Sequence, residues 1–357
     1  MTYDLRPTTF FRKNIDEMTG YIPGEQPAPG QKVIKLNTNE NPYPPSPAAM
    51  EVLRHFDGEA LRMYSDPMAT PVRQAVGKVL GVDPSWVLAG NGSDDLLTMI
   101  FKACCEKGRG VAYAMPTYVY FRTLANVQDA PFTEIPFDDE YTLPVDALAK
   151  ANAPVTFVAN PNSPSGTCTP VAVLDDLASR LAGLLIVDEA YVDFAQASAL
   201  DLVKRHKNVI VLRTLSKGYS LAGLRVGFGV MQPALVPTLV KVKDHYNVSS
   251  IACAVAAAAI ADQAYLRQTV EKVKAARRQL TEGLRALDYR VWPSESNFVL
   301  AQVPGGAAQK VYLALKSQGI LVRYFKEPRL EDKLRITVGT AEQVAALLAA
   351  LGARASS

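Results

Sequence analysis

Val209-Ile-Val-Leu-Arg-Thr-Leu-Ser-Lys-Gly-Tyr-Ser-Leu-Ala-Gly-Leu-Arg-Val-Gly-Phe-Gly229 is the stretch whose reading decides this chain. Its β-branched, apolar start reads as a strand buried on both faces. At Thr214 the run breaks into small and polar residues that deliver Lys217 to the strand's carboxyl end. In an open α/β sheet that edge is where ligands bind.

Outward from this stretch the same pattern recurs. Short apolar runs, Trp86-Val-Leu-Ala, Gly110-Val-Ala-Tyr-Ala-Met, Val155-Thr-Phe-Val-Ala, Leu184-Leu-Ile-Val and Val226-Gly-Phe-Gly-Val, alternate with helical periodicity at roughly 93–106, 117–127, 170–181 and 198–206. Continuous apolar strands between helices predict a mainly parallel sheet covered on both faces. Pro71 to Leu80 reads as a helix with proline at its start and Gly81 at its end. After Pro233 the spacing predicts long helices, Leu235 to Tyr246 and Ser250 to Leu287, the second broken near Gln263. Strand and helix patterns then alternate to the end. The fold class is therefore α/β: a large domain with a mainly parallel, mixed sheet flanked by helices, plus a smaller α+β C-terminal domain. The boundaries are an N-terminal arm over 1–35, a large domain over 36–250 and a small domain over 251–357. Residues 36–65 are free to pack with the small domain or with a neighbouring subunit.

The 357 residues bury a large core, and 38 basic against 35 acidic side chains leave +3, a balance that argues against a nucleic-acid or membrane surface. Four cysteines without a CxxC pair point to reduced thiols and to no metal site. The first residues lack the apolar core of a signal peptide, so a cytoplasmic location is expected.

Chemistry concentrates at predicted strand ends. Lys217, between Ser216 and Gly218, is placed to hold a carbonyl cofactor as an imine. Asp188 closes the run Leu184-Leu-Ile-Val, where a carboxylate could keep a pyridine nitrogen protonated; a helix cap or a metal ligand are the alternatives. Tyr191 lies three residues on. Gly90-Asn-Gly-Ser-Asp-Asp95 follows a strand and opens a helix, so Ser93 and the backbone at Asp94 suit one phosphate, and Arg225 can add a charged contact. Tyr118, in Pro116-Thr-Tyr, can lie on an aromatic ring. Asn160-Pro-Asn-Ser-Pro-Ser-Gly166 is a rigid turn, suited to a cis proline, that can aim an asparagine at the same place. Together these residues read as a pyridoxal phosphate site.

The chain resembles the fold-type I, aspartate-aminotransferase-like pyridoxal-phosphate enzymes, and among them the histidinol-phosphate aminotransferase family. The resemblance rests on Leu36-Asn-Thr-Asn-Glu-Asn-Pro, Gly92-Ser-Asp-Asp, Asn160-Pro-Asn-Ser-Pro-Ser-Gly, Val187-Asp-Glu-Ala-Tyr, Arg213-Thr-Leu-Ser-Lys and Leu334-Arg-Ile-Thr-Val-Gly-Thr340. It implies that Lys217 carries pyridoxal 5'-phosphate and shuttles the substrate proton. It further implies that Asp188 holds the ring nitrogen, Tyr191 reaches the ring oxygen, Tyr118 stacks, and Ser93, Asp94, Ser216 and Arg225 bind the phosphate. Tyr64 matches a tyrosine lent to the partner subunit's site, which implies a homodimer. Arg335 matches a substrate-anion arginine, and Arg323 and Tyr21 match contacts to the substrate's own phosphate. The implied activity is ping-pong transamination of small amino and 2-oxo acids, phosphorylated ones included, in histidine biosynthesis.

Two positions depart from the family pattern. Ser163 stands where members have a second asparagine, so either Asn162 or Ser163 faces the ring oxygen, and Asp95 replaces a glutamate. Threonine-phosphate decarboxylase and aromatic aminotransferase are sibling readings. A cofactor-sensing regulator is a third, against which the near-neutral charge and the early first strands both argue.

Overall fold

The computed structural model describes residues 10–20, 24–28 and 30–355. The first strand, β1 (Ile34–Leu36), joins a sheet made otherwise from the C-terminal residues. The next seven, β2 (Val87–Gly90), β3 (Val111–Met115), β4 (Phe132–Pro136), β5 (Val155–Ala159), β6 (Leu184–Asp188), β7 (Val209–Thr214) and β8 (Gly227–Met231), form the large sheet in the order β2-β8-β7-β6-β5-β3-β4. Only β8 runs against its neighbours. The carboxyl ends of the other six therefore share one edge. β2, β7 and β8 are buried throughout apart from Arg213, and β3, β5 and β6 nearly so, which is why their runs are continuously apolar.

The helix Thr70–Leu80 carries proline in its first turn and ends on Gly81 at φ 65°, whose N–H donates to Gly77 O. The helix Ser250–Ala261 is buried along Ala252, Cys253, Val255, Ala256, Ala259 and Ile260, and packs on Thr70–Leu80 and on Pro47–Arg54. It belongs to the large domain's core. At Asp262 the chain turns, and the Asp262 carboxylate accepts from Tyr265 N to cap Gln263–Ala286, whose buried face enters a separate core. The changeover thus falls at Asp262, not at 251.

That second core lies against β1, β9 (Arg290–Val291), β10 (Phe298–Gln302), β11 (Ile320–Tyr324) and β12 (Lys333–Thr337), ordered β1-β11-β12-β10-β9. β1 pairs in parallel with β11, Ile34 opposite Ile320, so the end of the expected arm is a strand of the small domain.

Three further differences have physical reasons. The expected helix over 235–246 is only Val236–Val240, because Lys243 Nζ donates to Asp244 O, His245 O and Asn247 Oδ1 and folds the following residues into turns. The edge strand β4 is half-exposed and lacks a continuous apolar run. The helix Val145–Ala151 buries only Leu148, too little for a periodic signal. Among the described residues, no helix is long and apolar enough to cross a membrane.

Candidate active site

The shared strand edge and the small domain enclose a cleft of about 1230 Å³. Lys217, Asp188, Tyr191, Ser93, Asp94, Tyr118, Ser216, Arg225, Arg323 and Arg335 all line it. Tyr64 does not: it is 83% exposed, its ring stacked on Tyr246 at 4.5 Å between centroids. Tyr21 lies outside the described residues.

Lys217 follows β7. Its half-buried side chain donates from Nζ to Thr38 O at 3.4 Å and lies 5.8 Å from the centre of the Tyr191 ring. The loop that carries it is fixed by Asn41, whose Nδ2 donates to Lys217 O and Gly218 O at 3.2 and 3.1 Å.

Asp188 ends β6 and is 5% exposed. Its Oδ1 accepts from Ala190 N at 3.1 Å. Burial, reinforced by the charge of Asp94, pushes its pKa up to about 7. A buried carboxylate with this environment fits a protonated ring nitrogen, which would return to it the opposite charge that burial withholds.

At the far end of the edge, Gly92 takes φ 86° to start the helix Ser93–Cys104, which no side chain caps. A Cβ on Gly227, at the start of β8, would lie 2.4 Å from Ser93 N. The reversed strand therefore brings its amino end against the helix start. Arg225, entering β8 at φ 57°, points Nη1 to Ser216 Oγ at 3.3 Å and Nη2 to Asp94 Oδ2 at 3.4 Å. Thr214 Oγ1 donates to Ser216 Oγ at 3.0 Å. Helix amides, a serine and an arginine converge there, a donor set suited to a phosphate. Tyr118 donates its hydroxyl to Asp94 Oδ1 at 3.0 Å, and burial followed by the Asp94 charge raises its pKa.

The turn after β5 divides its two candidates. Asn162 Oδ1 accepts from Thr117 Oγ1 at 2.7 Å, while Nδ2 donates to Ser165 Oγ and Pro116 O. These bonds lock the amide inside a turn whose Asn160–Pro161 and Ser163–Pro164 bonds are cis. Asn162 therefore does not line the cleft, contrary to the expectation for it, and Ser163 does, its Oγ accepting from Arg335 Nη1 at 3.1 Å. Asp95 turns away as well: its Oδ2 accepts from Asn91 N at 2.9 Å and from Asn247 Nδ2 at 2.7 Å, which braces the glycine turn.

On the opposite wall Arg323 and Arg335 are direct cross-strand partners of β11 and β12. Like charges in that register repel, so a ligand anion is their natural companion. Arg335 also donates from Nη2 to Asn37 O at 3.2 Å, and its guanidinium lies over Phe298 and Phe325.

The segment Asn37–Asn41, to which the sequence assigns no individual role, has four residues that touch the groups just described. The signal available in sequence was its density of asparagine, a residue that bonds backbone locally and accepts left-handed geometry.

A comparison with known families matches residues 31–351 to the aminotransferases of class I and II. A histidinol-phosphate aminotransferase 1 of Trichormus variabilis is 56% identical over 96% of this chain and 98% of its own length, and a histidinol-phosphate aminotransferase of Syntrophotalea carbinolica is 44% identical over 95% and 98%. The crystal structure of histidinol-phosphate aminotransferase from Sinorhizobium meliloti in complex with pyridoxal-5'-phosphate superposes with a TM-score of 0.89 at 27% identity, covering 98% of both chains. The chain belongs to the histidinol-phosphate aminotransferase family of aminotransferases.

Proposed function

We propose that this protein is the pyridoxal 5'-phosphate-dependent transaminase that exchanges an amino group between histidinol phosphate and 2-oxoglutarate in histidine biosynthesis, in two half-reactions at one site. The observation that carries the reading is that Lys217, the buried Asp188, the Ser93–Ser216–Arg225 anion site and the Arg323–Arg335 pair all face a single cleft.

Ser93, Ser216 and Arg225 would hold the cofactor's phosphate, Asp188 its ring nitrogen and Lys217 its carbonyl carbon. When bound, the cofactor supplies an electron-withdrawing ring that makes the substrate's Cα–H acidic and stores the amino group between half-reactions. Lys217 Nζ, at the carboxyl end of β7, would take the substrate's Cα proton and return it. Tyr191 offers a hydroxyl, and Tyr118 covers one wall. Arg335 can fork a carboxylate, and Arg323 beside it accepts the anion of a phosphorylated substrate. Two anion sites in one cleft suit substrates that carry a carboxylate in one half-reaction and a phosphate in the other. Tyr64, exposed and outside its own cleft, would serve the site of a second copy in a cytoplasmic homodimer.

The test is borohydride reduction followed by mass mapping. One cofactor adduct on Lys217 is expected, together with loss of at least about a thousandfold of transamination in Lys217→Ala, since proton shuttling and covalent linkage vanish together. An adduct elsewhere, or an active Lys217→Ala variant, overturns the assignment. Histidinol phosphate should bleach the cofactor spectrum in a single half-reaction, and the unphosphorylated alcohol should do so far less well.

A further inference from the structure

Tyr191 faces the cleft from the loop after β6, but its hydroxyl is held by a residue far away in sequence. Asn39 Nδ2 donates to Tyr191 Oη at 2.9 Å. Asn39 is 1% exposed and sits at φ 59°, the left-handed region that asparagine tolerates better than most residues. Three bonds to the small domain hold it there. Its backbone N–H donates to Thr337 Oγ1 at 3.0 Å, Thr337 Oγ1 donates to Asn39 Oδ1 at 2.9 Å, and Asn297 Nδ2 donates to Asn39 O at 2.9 Å.

The Thr337 hydroxyl receives the Asn39 N–H and gives its own hydrogen to Asn39 Oδ1. With the side-chain oxygen turned to Thr337, the amide's NH2 faces Tyr191. Tyr191 Oη is then an acceptor on the Asn39 side, and its hydrogen is left to point elsewhere, toward the cleft. We propose that Asn39 is a positioning residue that fixes Tyr191 as a hydrogen-bond donor into the cleft and ties that polarity to the small-domain strand carrying Thr337 and Arg335. The inference rests on the reading of the cleft as a pyridoxal phosphate site, in which the Tyr191 hydroxyl would meet the ring oxygen.

The titratable groups around Tyr191 are Lys217, Asp188 and Tyr118, and all three are untouched by the test. The loaded protein is titrated by absorbance, and the midpoint of the cofactor's spectral change is compared among wild type, Asn39→Asp, Tyr191→Phe and the double variant. A carboxylate at position 39 accepts where the amide donated, so it draws the Tyr191 hydrogen away from the cleft. Asn39→Asp should raise the midpoint by about one unit, a tenfold change. The same substitution in the Tyr191→Phe background should raise it by less than half as much. The introduced charge acts alike in both backgrounds and cancels in the cycle. Asn39→Gly, which keeps the left-handed backbone and deletes the amide, serves as the second variant and should give a smaller shift that also disappears in the Tyr191→Phe background. Equal shifts in the two backgrounds, or no shift in either, overturn the proposal, because a merely structural Asn39 would change melting temperature without this dependence on Tyr191. If borohydride leaves no adduct on Lys217 of the wild type, the functional reading itself has failed, and that result is distinct from either outcome of the cycle.

Discussion

Asp188 accepts a backbone hydrogen bond from Ala190, and in the folded chain its carboxyl is raised from an ordinary value of 3.8 to about 7, by burial first and the Asp94 charge second. The folded protein therefore binds more protons than the unfolded chain between those two values. Its contribution to stability is fully present below about pH 4 and is lost as the pH rises through 7. Cofactor-stripped Asp188→Asn should match the wild type near pH 4 and be the more stable protein at pH 8, by on the order of a few kcal/mol. Urea titrations at the two pH values measure this, and a difference that does not change with pH would refute it. The same substitution should weaken cofactor binding, since a neutral amide cannot pair with a protonated ring nitrogen. At this scale the sequence was informative for residues that follow a strand immediately, such as Asp188 and Lys217, because the direction of the chain places them. It was silent on Asn39, whose partners Tyr191, Asn297 and Thr337 lie 152 to 298 residues away.

Among the elements, the reversed strand β8 does the most to shape the site. Running against β2 and β7, it starts where they end, so Arg225 arrives at the edge that Ser93 and Ser216 also reach. The close approach depends on Gly227, where a Cβ would meet Ser93 N, Gly92 C and Arg213 O, all backbone atoms with little freedom to move. Gly227→Ala should cost about 1–3 kcal/mol of stability and loosen cofactor binding at least tenfold; equilibrium dialysis beside a thermal melt checks both, and unchanged affinity would show that the helix start does not hold the phosphate. The strands of the large sheet's interior were legible because burial on both faces leaves an unbroken apolar run. β4, half-exposed at the edge, and β1, three residues long, carry no such run. The turn Asn160–Gly166 was recognisable from its prolines, but which of Asn162 and Ser163 faces the cleft depended on Thr117, Pro116 and Ser165 claiming the asparagine's amide.

For the whole molecule, the exposed Tyr64–Tyr246 stack gives the proposed dimer a direct test. If Tyr64 completes the neighbour's site, a Lys217→Ala subunit and a Tyr64→Ala subunit together contain one intact site per mixed dimer. Exchanging the two weak parents should restore about a quarter of wild-type activity, since about half the dimers are mixed and each has one good site of two. Activity no higher than the average of the parents would exclude the sharing. The small sheet carries a different consequence. β1 pairs with β11, Ile34 with Ile320, so one strand waits for another made long after it. Asn39, three residues beyond β1, finds Thr337 later still. During synthesis the large sheet has all its strands by Met231, whereas the segment that steadies Lys217 and Tyr191 gains its anchor only once Thr337 has been made. Such distant pairing is slow to form. The cofactor-binding edge can therefore assemble while the cleft is still open on the side of the small domain.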